Sequence, residues 1–265
     1  MPPEPPERAD RAEVARHASA DQLKTLIHEA GEESLVALLE NPNLDEEHVG
    51  QLLERLDLPA NVLSAVAEAG KWTASERIRL RLARHPRTPR RIALSLVRQL
   101  FLFDLVKLSL LPSAPAEIRR VAEELIVTRV PHLPIGEKLT LARRGPARVA
   151  GALLVEGHAQ AVKLALGNGF LTESQVLKVL AKHGVPERSV AAIAQHPKWS
   201  CHYNVRVALV HNVHTPLLSV LAFLPNLTLH DLKEIATLDG LAPHLKKYIH
   251  AELKRRSGAA RAQEE

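Results

Sequence analysis

The chain has 265 residues, of which 46% are hydrophobic and 25% charged, a balance that is typical of a globular protein and excludes a wholly disordered one. Aromatic residues make up only 3%, while Leu and Ala dominate, and this bias favours helices over sheets. Lys and Arg number 35 against 30 Asp and Glu, a mild basic excess that is compatible with nucleic acid or with an acidic protein partner.

The single cysteine, Cys201, excludes an internal disulfide and a cysteine-rich metal or iron–sulfur cluster. It favours a reducing compartment. Residues 1–10 carry prolines and charges without the apolar core of a signal peptide, and no apolar run reaches the length of about 18 residues that a membrane helix needs. We therefore expect a cytoplasmic protein without a membrane partner.

Along the chain, residues 1–14 offer proline and charge but no apolar face, so they are predicted to form a disordered tail. Apolar residues then recur at spacings of three and four, starting with Leu23, Leu26 and Ile27. This rhythm predicts one α-helical repeat domain over residues 15–256. Residues 257–265 are predicted to form a second disordered tail.

An internal duplication organises the domain. Residues 41–105 align with residues 168–232 at an offset of 127 without a gap. The alignment gives 19 identities in 65 positions. A Leu- and Ala-rich composition would give roughly five or six by chance. The only two tryptophans of the chain, Trp72 and Trp199, fall on each other.

Turn and capping residues recur at equivalent places in the two copies. Thr88 and Thr215 each precede a proline, and that proline suits the start of a helix. Helices are predicted to start near residues 45, 59, 89, 172, 186, 216 and 228. Residues 77–82 alternate polar and apolar as a strand would, but their counterparts lose the alternation, so we predict helix there too.

The middle of the chain, residues 112–167, continues the helical pattern with weaker identity. The repeating unit is predicted to be a helix pair or triplet of about 40 residues. Short connections between such helices are typical of stacked antiparallel neighbours. The sequence therefore predicts an all-α fold, an α-solenoid of stacked short helices with an internal duplication.

The segment 205–216, VRVALVHNVHTP, resembles the leucine-rich-repeat-variant motif V-R-x-A-L-x-x-N-x-x-T-P. Residues 78–89 are similar to it less closely, with His85 in place of the asparagine. The resemblance is strong over about a quarter of the chain and faint over most of it. It implies a right-handed superhelix related to HEAT and armadillo arrays, and it implies no activity. The iron–sulfur cluster of some family members does not carry over to a chain with one cysteine.

Metal-like residue types cluster once, at Cys201, His202, His211 and His214. Two of these are adjacent in sequence, which makes a rigid tetrahedral zinc site hard to build, so turn and surface histidines are the favoured interpretation. The sequence has no nucleophile elbow, zinc-protease helix or phosphate-binding glycine loop. We expect no catalytic residue, no metal and no cofactor, and no small-molecule substrate is indicated.

The pairs matched by the duplication include Trp72 with Trp199, Arg79 with Arg206, and Asp104 with Asp231. The tryptophans are expected to be buried wedges between repeats rather than stacking platforms. The arginines are expected to bond turn carbonyls or the paired aspartates.

A basic run distinguishes the first copy. Residues 71–98 hold nine Lys and Arg against one Glu, whereas the counterpart 198–225 has only Lys198 and Arg206. Packing common to both copies cannot require charges that one copy lacks, so the excess is assigned to the surface. The candidate partner-binding residues are Arg77, Arg81, Arg84, Arg87, Arg90 and Arg91. They predict an electropositive patch, with a merely solvated face as the open alternative.

The function predicted from these features is a non-enzymatic scaffold that binds a protein partner, because stacked helices create an extended binding surface. An alternative is contact with the backbone of duplex nucleic acid through the arginines. A HEAT-like DNA-repair glycosylase is a third and weaker hypothesis, by fold analogy alone. It requires an aromatic residue and a carboxylate converging on a basic concave surface.

Overall fold

The computed structural model describes residues 8–29, 31–237 and 243–261. Over this part of the chain the fold is all-helical and contains no strand, which confirms the predicted fold class at that level. Within the same ranges, no helix is long and apolar enough to cross a membrane. The α-helices are α1 (Arg8–His17), α2 (Ala20–Glu29), α3 (Glu32–Leu38), α4 (Glu46–Leu52), α5 (Ala60–Glu68), α6 (Gly70–Thr73), α7 (Glu76–Arg84), α8 (Arg90–Gln99), α9 (Leu102–Leu110), α10 (Ala116–Arg129), α11 (Ile135–Arg144), α12 (Ala147–Glu156), α13 (Ala159–Leu166), α14 (Glu173–Leu180), α15 (Glu187–Gln195), α16 (Pro197–Ser200), α17 (Tyr203–His211), α18 (Leu217–Phe223), α19 (Leu229–Ala236) and α20 (Pro243–Arg261). Two short 3-10 helices cover Val130–His132 and Leu224–Asn226.

The seven predicted helix starts are confirmed, because a helix begins one residue after each predicted position. The residue before each of these helices is one that suits that position. The side chains of Asp45, Thr172 and Thr228 accept a hydrogen bond from the backbone N–H three residues on. Prolines occupy the same position before α5, α8, α15 and α18. The alternating stretch 77–82 lies inside α7, so the helical prediction was right there.

The chain divides into two compact units, unit 1 (Met1–Ile126) and unit 2 (Val127–Glu265). In unit 1, α2 packs on α4, α4 on α7 and α7 on α9, while α1 packs on α3 and α3 on α5. Unit 2 repeats this order, with α12 on α14, α14 on α17 and α17 on α19, and with α11 on α13 and α13 on α15. The domain predicted over residues 15–256 is therefore described as these two units.

The ends of the chain are more helical than their composition suggested. Residues 8–14 of the predicted tail belong to α1, which packs on α3 through the fully buried Ala15 and pairs Arg16 Nε with Glu40 Oε2 at 2.8 Å. Residues 257–261 of the second tail continue α20. The remaining tail residues, 1–7 and 262–265, lie outside the described ranges.

The duplication reaches further than the identities showed. Every helix from α1 to α10 begins 127 residues before its counterpart among α11 to α20. The two copies therefore extend over residues 8–129 and 135–256 instead of 41–105 and 168–232. Sequence identity is too low outside the central 65 positions to reveal the rest.

A buried asparagine ties neighbouring repeats together in unit 1. Asn41 is fully buried, and its Nδ2 donates to Ala15 O at 2.9 Å and to Ala18 O at 3.0 Å. Its Oδ1 accepts from Asn43 N at 2.8 Å. The side-chain amide thus uses both of its N–H groups to bond two buried carbonyls more than 20 residues away. Its oxygen accepts a hydrogen bond from a backbone N–H of the turn in which Asn41 lies.

Unit 2 builds the same network around Asn168. Its Nδ2 donates to Ala142 O at 2.9 Å and to Gly145 O at 3.0 Å, and its Oδ1 accepts from Phe170 N at 2.7 Å. All three partners lie 127 residues after those of Asn41. The duplication therefore preserves bonds to the backbone as well as side-chain identities.

The paired tryptophans are buried, as predicted, with Trp72 at 6% and Trp199 at 1% exposure. The preceding lysine lies over each ring, with Lys71 Nζ at 4.0 Å and Lys198 Nζ at 4.2 Å from the ring centroid. Both side chains therefore serve as packing wedges covered by a cation.

The paired arginines bond turn carbonyls, as expected. Arg79 Nη1 donates to Thr73 O at 3.0 Å, and Arg206 Nε donates to Ser200 O at 2.6 Å. The suggested partnership with the paired aspartates is not what forms, because Arg79 makes its ion pair within α7, with Glu76. These arginines are parts of the common scaffold.

Candidate partner-binding site

Three of the predicted arginines line one groove on the face formed by α4, α7 and α9. The cavity has a volume of about 370 Å³. Its lining residues, here called the arginine groove, are Glu54, Glu76, Arg77, Leu80, Arg81, Arg84, Asp104 and Lys107. The lining therefore combines four cations with three carboxylates.

A second cavity of about 570 Å³ lies between α4 and the arginine side of α7. Arg77 and Arg81 line both cavities. The other lining residues of the second cavity are Asp45, Glu46, Glu47, Gly50, Gln51 and Ile78. The arginine side of α7 is thus flanked by carboxylates.

Glu54 neutralises two of the groove arginines. Its Oε1 accepts from Arg84 Nη2 at 2.7 Å and lies 3.4 Å from Arg81 Nη1. All three side chains are partly exposed, at 54% for Glu54, 33% for Arg84 and 28% for Arg81. Such pairs contribute modestly to stability, but they reduce the positive charge that a partner meets.

The guanidinium of Arg81 also packs against α4. A Cβ atom placed on Gly50 would lie 2.6 Å from Arg81 Nη1, closer than any real contact. The absence of a side chain at Gly50 therefore makes room for Arg81 to lie on the helix.

The remaining predicted arginines lie outside this groove. Arg87 Nη1 donates to the backbone oxygen of Asp57 at 2.7 Å. Arg90 forms a two-bond pair with Glu117, at 2.8 and 2.5 Å, which lowers the pKa of the carboxyl and raises that of the guanidinium. Arg91 is exposed.

Arg77 differs from its neighbours on α7. It is exposed, it lines both cavities, and no carboxylate in the described part of the chain forms an ion pair with it. Among the six predicted residues it is the one that combines a place in the groove with an uncompensated charge.

Sequence reasoning missed the carboxylates that pair with the arginines. Glu54 lies 30 residues before Arg84, and Glu117 lies 27 residues after Arg90, so neither falls in the basic run 71–98. The offset of 127 gave a usable signal, because Glu54 aligns with Ala181 and is lost together with the arginines.

The equivalent face of unit 2 has a different surface. A cavity of about 560 Å³ there is lined by Glu173, Ser174, Leu177, Lys178, Ala181 and Asn204. Leu177 replaces Gly50, and Asn204 replaces Arg77. The counterparts of Arg81 and Arg84 are Ala208 and His211, and those of Arg90 and Arg91 are the exposed Leu217 and Leu218.

The basic run 71–98 lies in unit 1, but the net charge of unit 1 is negative and that of unit 2 is positive. Unit 1 holds 17 Lys and Arg against 20 Asp and Glu, and unit 2 holds 18 against 10. The basic excess of the chain therefore comes from unit 2, and the arginines of α7 and α8 belong to a unit that is acidic overall.

The histidine-rich segment forms no recognisable metal site. In the described ranges, no group of three or more His, Cys, Asp or Glu is placed to hold a metal ion. His202 instead pairs with Glu173 at 3.0 Å and stacks on Trp199 with ring centroids 5.6 Å apart. Cys201 is exposed.

Comparison of the chain with protein-family models, curated proteins and solved structures gives no match.

Proposed function

We propose that the protein is a non-enzymatic, cytoplasmic scaffold in which each unit is a right-handed α-solenoid segment that binds a protein partner on its exposed helix faces. The resemblance of residues 205–216 to the leucine-rich-repeat-variant motif supports the solenoid and its hand. The packing order within each unit, α2–α4–α7–α9 and α12–α14–α17–α19, is what stacked repeats produce.

The observation that carries the binding function is the divergence of equivalent faces on an unchanged scaffold. The Asn41 and Asn168 networks keep every bond, whereas Glu54, Arg81 and Arg84 change together in the other unit. Charges that one unit has and the other lacks are not needed to pack the helices, and a partner-binding face accounts for their arrangement. Two faces with different chemistry suit two different parts of a partner surface.

The charge pattern favours a protein over nucleic acid. Nucleic-acid backbones require uncompensated cations, and Glu54 and Glu117 pair with three of the six arginines. The second cavity adds further carboxylates beside Arg77 and Arg81. A protein surface that bears both signs complements such a groove better than a uniform polyanion does.

The glycosylase hypothesis gains no support from the groove. Its lining includes three carboxylates, Glu54, Glu76 and Asp104, but no aromatic side chain that could stack on an extruded base. We therefore keep the scaffold as the proposed function.

The test uses the full chain as bait in native extract, with and without nuclease, beside the variant Arg77→Glu. We expect a protein partner to be retained after nuclease treatment and its recovery to fall at least about tenfold with Arg77→Glu, because a central charge is reversed. Arg98→Glu is the matched control, since Arg98 is exposed in the same unit and lies outside both groove linings.

Two results contradict the proposal. Loss of all captured material on nuclease treatment would assign the groove to nucleic acid. Equal recovery by Arg77→Glu and Arg98→Glu, with both variants folded by circular dichroism, would remove the arginine groove as the binding site.

A further inference from the structure

A groove between α13 and α15 of unit 2 lies outside the surfaces described above. Its volume is about 430 Å³. Its lining residues, here called the α13–α15 groove, are Ala159, Val162, Lys163, Leu166, Arg188, Ala192, Gln195, His196 and Pro197. An apolar floor with polar edges distinguishes it from the arginine groove.

The lining follows one face of each helix. On α13, Ala159, Val162, Lys163 and Leu166 are spaced at zero, three, four and seven. On α15, the three lining residues from Arg188 onward are spaced at zero, four and seven. The groove therefore runs along about two helical turns, or roughly 10 Å. This shape suits a third helix laid against two others.

The floor and the edges differ in chemistry. Val162 and Leu166 are buried at 2% exposure, while Lys163 and Arg188 are exposed. Neither of these two cations has a carboxylate partner in the described ranges. Burial, together with the nearby Lys198, lowers the pKa of His196, so that ring is neutral at pH 7. The groove therefore presents the small apolar side chains of Ala159, Ala192 and Pro197 above a buried floor, with a net charge of +2 at its edges.

A hydrogen bond between side chains spans the equivalent place in unit 1. There Glu32 and Asn61 stand where unit 2 has Ala159 and Arg188, and Asn61 Nδ2 donates to Glu32 Oε1 at 2.6 Å across α3 and α5. In unit 2 this bridge is replaced by a small residue and a cation. The duplication thus shows that an open, cationic groove is not required for packing α13 on α15.

We infer that the α13–α15 groove binds an acidic amphipathic helix of a protein partner. The apolar face of that helix would cover Ala159, Ala192 and Pro197, and its carboxylates would pair with Lys163 and Arg188. Ala159 and Ala192 lack bulk, which allows the partner backbone to approach closely. Charge complementarity selects an acidic helix over a basic one.

The inference extends the proposed scaffold to a second surface, and it can be tested without knowing the natural partner. The probe is a fluorescent synthetic helix of about 18 residues, roughly 27 Å long, with Leu on one face and Glu on the other. A second probe keeps the Leu face and replaces every Glu with Lys. Binding of both to the full chain is measured by fluorescence anisotropy.

We expect the acidic probe to bind and the basic probe to bind at least about tenfold more weakly. Lys163→Glu with Arg188→Glu should reverse this preference. The matched control, Lys182→Glu with Lys233→Glu, makes the same change of charge at exposed lysines of unit 2 outside the groove lining and should keep the preference. Circular dichroism checks that both double variants fold.

Failure to bind the acidic probe, equal binding of the two probes, or equal behaviour of the two double variants would each overturn the inference. Displacement of the acidic probe by duplex RNA would assign the groove to nucleic acid and would also overturn it. None of these results bears on the Arg77→Glu experiment, so the scaffold proposal and this groove can fail separately.

Discussion

The face of α4 and α7 in unit 1 and the face of α14 and α17 in unit 2 occupy equivalent positions in the duplication. They nevertheless differ in charge. One carries Glu54, Arg81 and Arg84, and the other carries Ala181, Ala208 and His211 at the same positions. The three positions change together: where unit 2 lacks the counterpart of Glu54, it also lacks the counterparts of Arg81 and Arg84, the two arginines that Glu54 pairs with. Charged residues that one copy lacks can thus be balanced within their own unit as well as directed at a partner.

The comparison also separates scaffold from surface by a physical criterion. Bonds from buried side chains to backbone carbonyls recur at the offset of 127, as at Asn41 and Asn168. The ion pairs of Glu54 with Arg81 and Arg84, between partly exposed side chains, do not recur, because the counterparts are Ala181, Ala208 and His211. A lost buried bond costs far more than a lost surface pair, so the first kind is held in place and the second is free to change.

The largest effect is expected from breaking the shared network. Asn168→Ala leaves two buried carbonyls without a donor and should cost about 2–4 kcal/mol. Asn41→Ala leaves one, Ala15 O, because Asn43 Nδ2 also donates to Ala18 O, so it should cost about 1–3 kcal/mol. Urea unfolding monitored by circular dichroism measures both losses. Asn43→Ala is the control in unit 1, because its Nδ2 shares only the Ala18 carbonyl. A cost below that of the control would show that the asparagine network does not hold the repeats.

The next effect concerns His85, which stands where unit 2 has Asn212. Its Nδ1 accepts from Arg87 N at 3.2 Å, so the neutral ring carries its proton on Nε2, which donates to Arg55 O at 2.7 Å. Asn212 makes a similar pair of bonds: its Oδ1 accepts from His214 N at 3.0 Å, and its Nδ2 donates to Leu180 O at 3.2 Å, two residues before the counterpart of Arg55. His85 therefore bonds one backbone carbonyl and one backbone N–H, as the asparagine of the motif does.

His85→Ala should lower the free energy of unfolding by about 2 kcal/mol, whereas His85→Asn should lose less than about 1 kcal/mol. Both are measured by urea unfolding at pH 7. Equal losses in the two variants would mean that the ring fills space instead of bonding the turn.

Local signals made much of this fold predictable. Helix starts at Asp45, Thr172 and the paired prolines depend on residues within one turn, and the sequence shows them directly. The groups that accept hydrogen bonds from Asn41 are backbone oxygens, which every residue has. The sequence therefore could not predict which residues Asn41 bonds to. The partners of the arginines lie 27 to 30 residues away on other helices, and a window of local charge does not include them.

The same limit applies to the site. Arg77, Arg81 and Arg84 were predicted to belong to one patch, and they line one groove. Their degree of neutralisation depends on Glu54, which only the packing of α4 on α7 brings near. The α13–α15 groove gave no sequence signal at all, because alanine and valine on helix faces are ordinary core residues.

A smaller effect is expected when the unit 2 face is built into unit 1. Gly50→Leu alone displaces the Arg81 guanidinium and should cost about 1 kcal/mol relative to the same substitution in an Arg81→Ala background. Adding Arg81→Ala, which recreates the Leu177 and Ala208 pair, should restore stability to within about 0.5 kcal/mol of the wild type. A double-mutant cycle by urea unfolding measures the coupling, and additive costs would contradict the exchange of volume between the two positions.

The smallest effect distinguishes the caps of α4 and α14. Asp45 Oδ1 accepts from His48 N at 2.8 Å, and this bond is the main cause that lowers the pKa of the carboxyl below its ordinary 3.8. Thr172 Oγ1 makes the equivalent bond to Gln175 N without a charge. Because the folded pKa of Asp45 is the lower one, its contribution is complete above pH 3.8 and is lost as pH falls through the folded value.

Asp45→Thr should therefore change stability by less than about 0.5 kcal/mol at pH 7 and should remove part of the loss between pH 5 and pH 2.5, whereas Asp45→Ala should cost up to about 1 kcal/mol at pH 7. The carboxyl is largely exposed, so solvent screening keeps the pH-dependent part small. Thr172→Ala is the matched control, since it removes a cap that does not titrate. Urea unfolding across this pH range should show parallel curves for Thr172→Ala and the wild type, and a shallower curve for Asp45→Thr. A curve for Asp45→Thr that parallels the wild type would mean that the cap of α4 contributes no pH dependence.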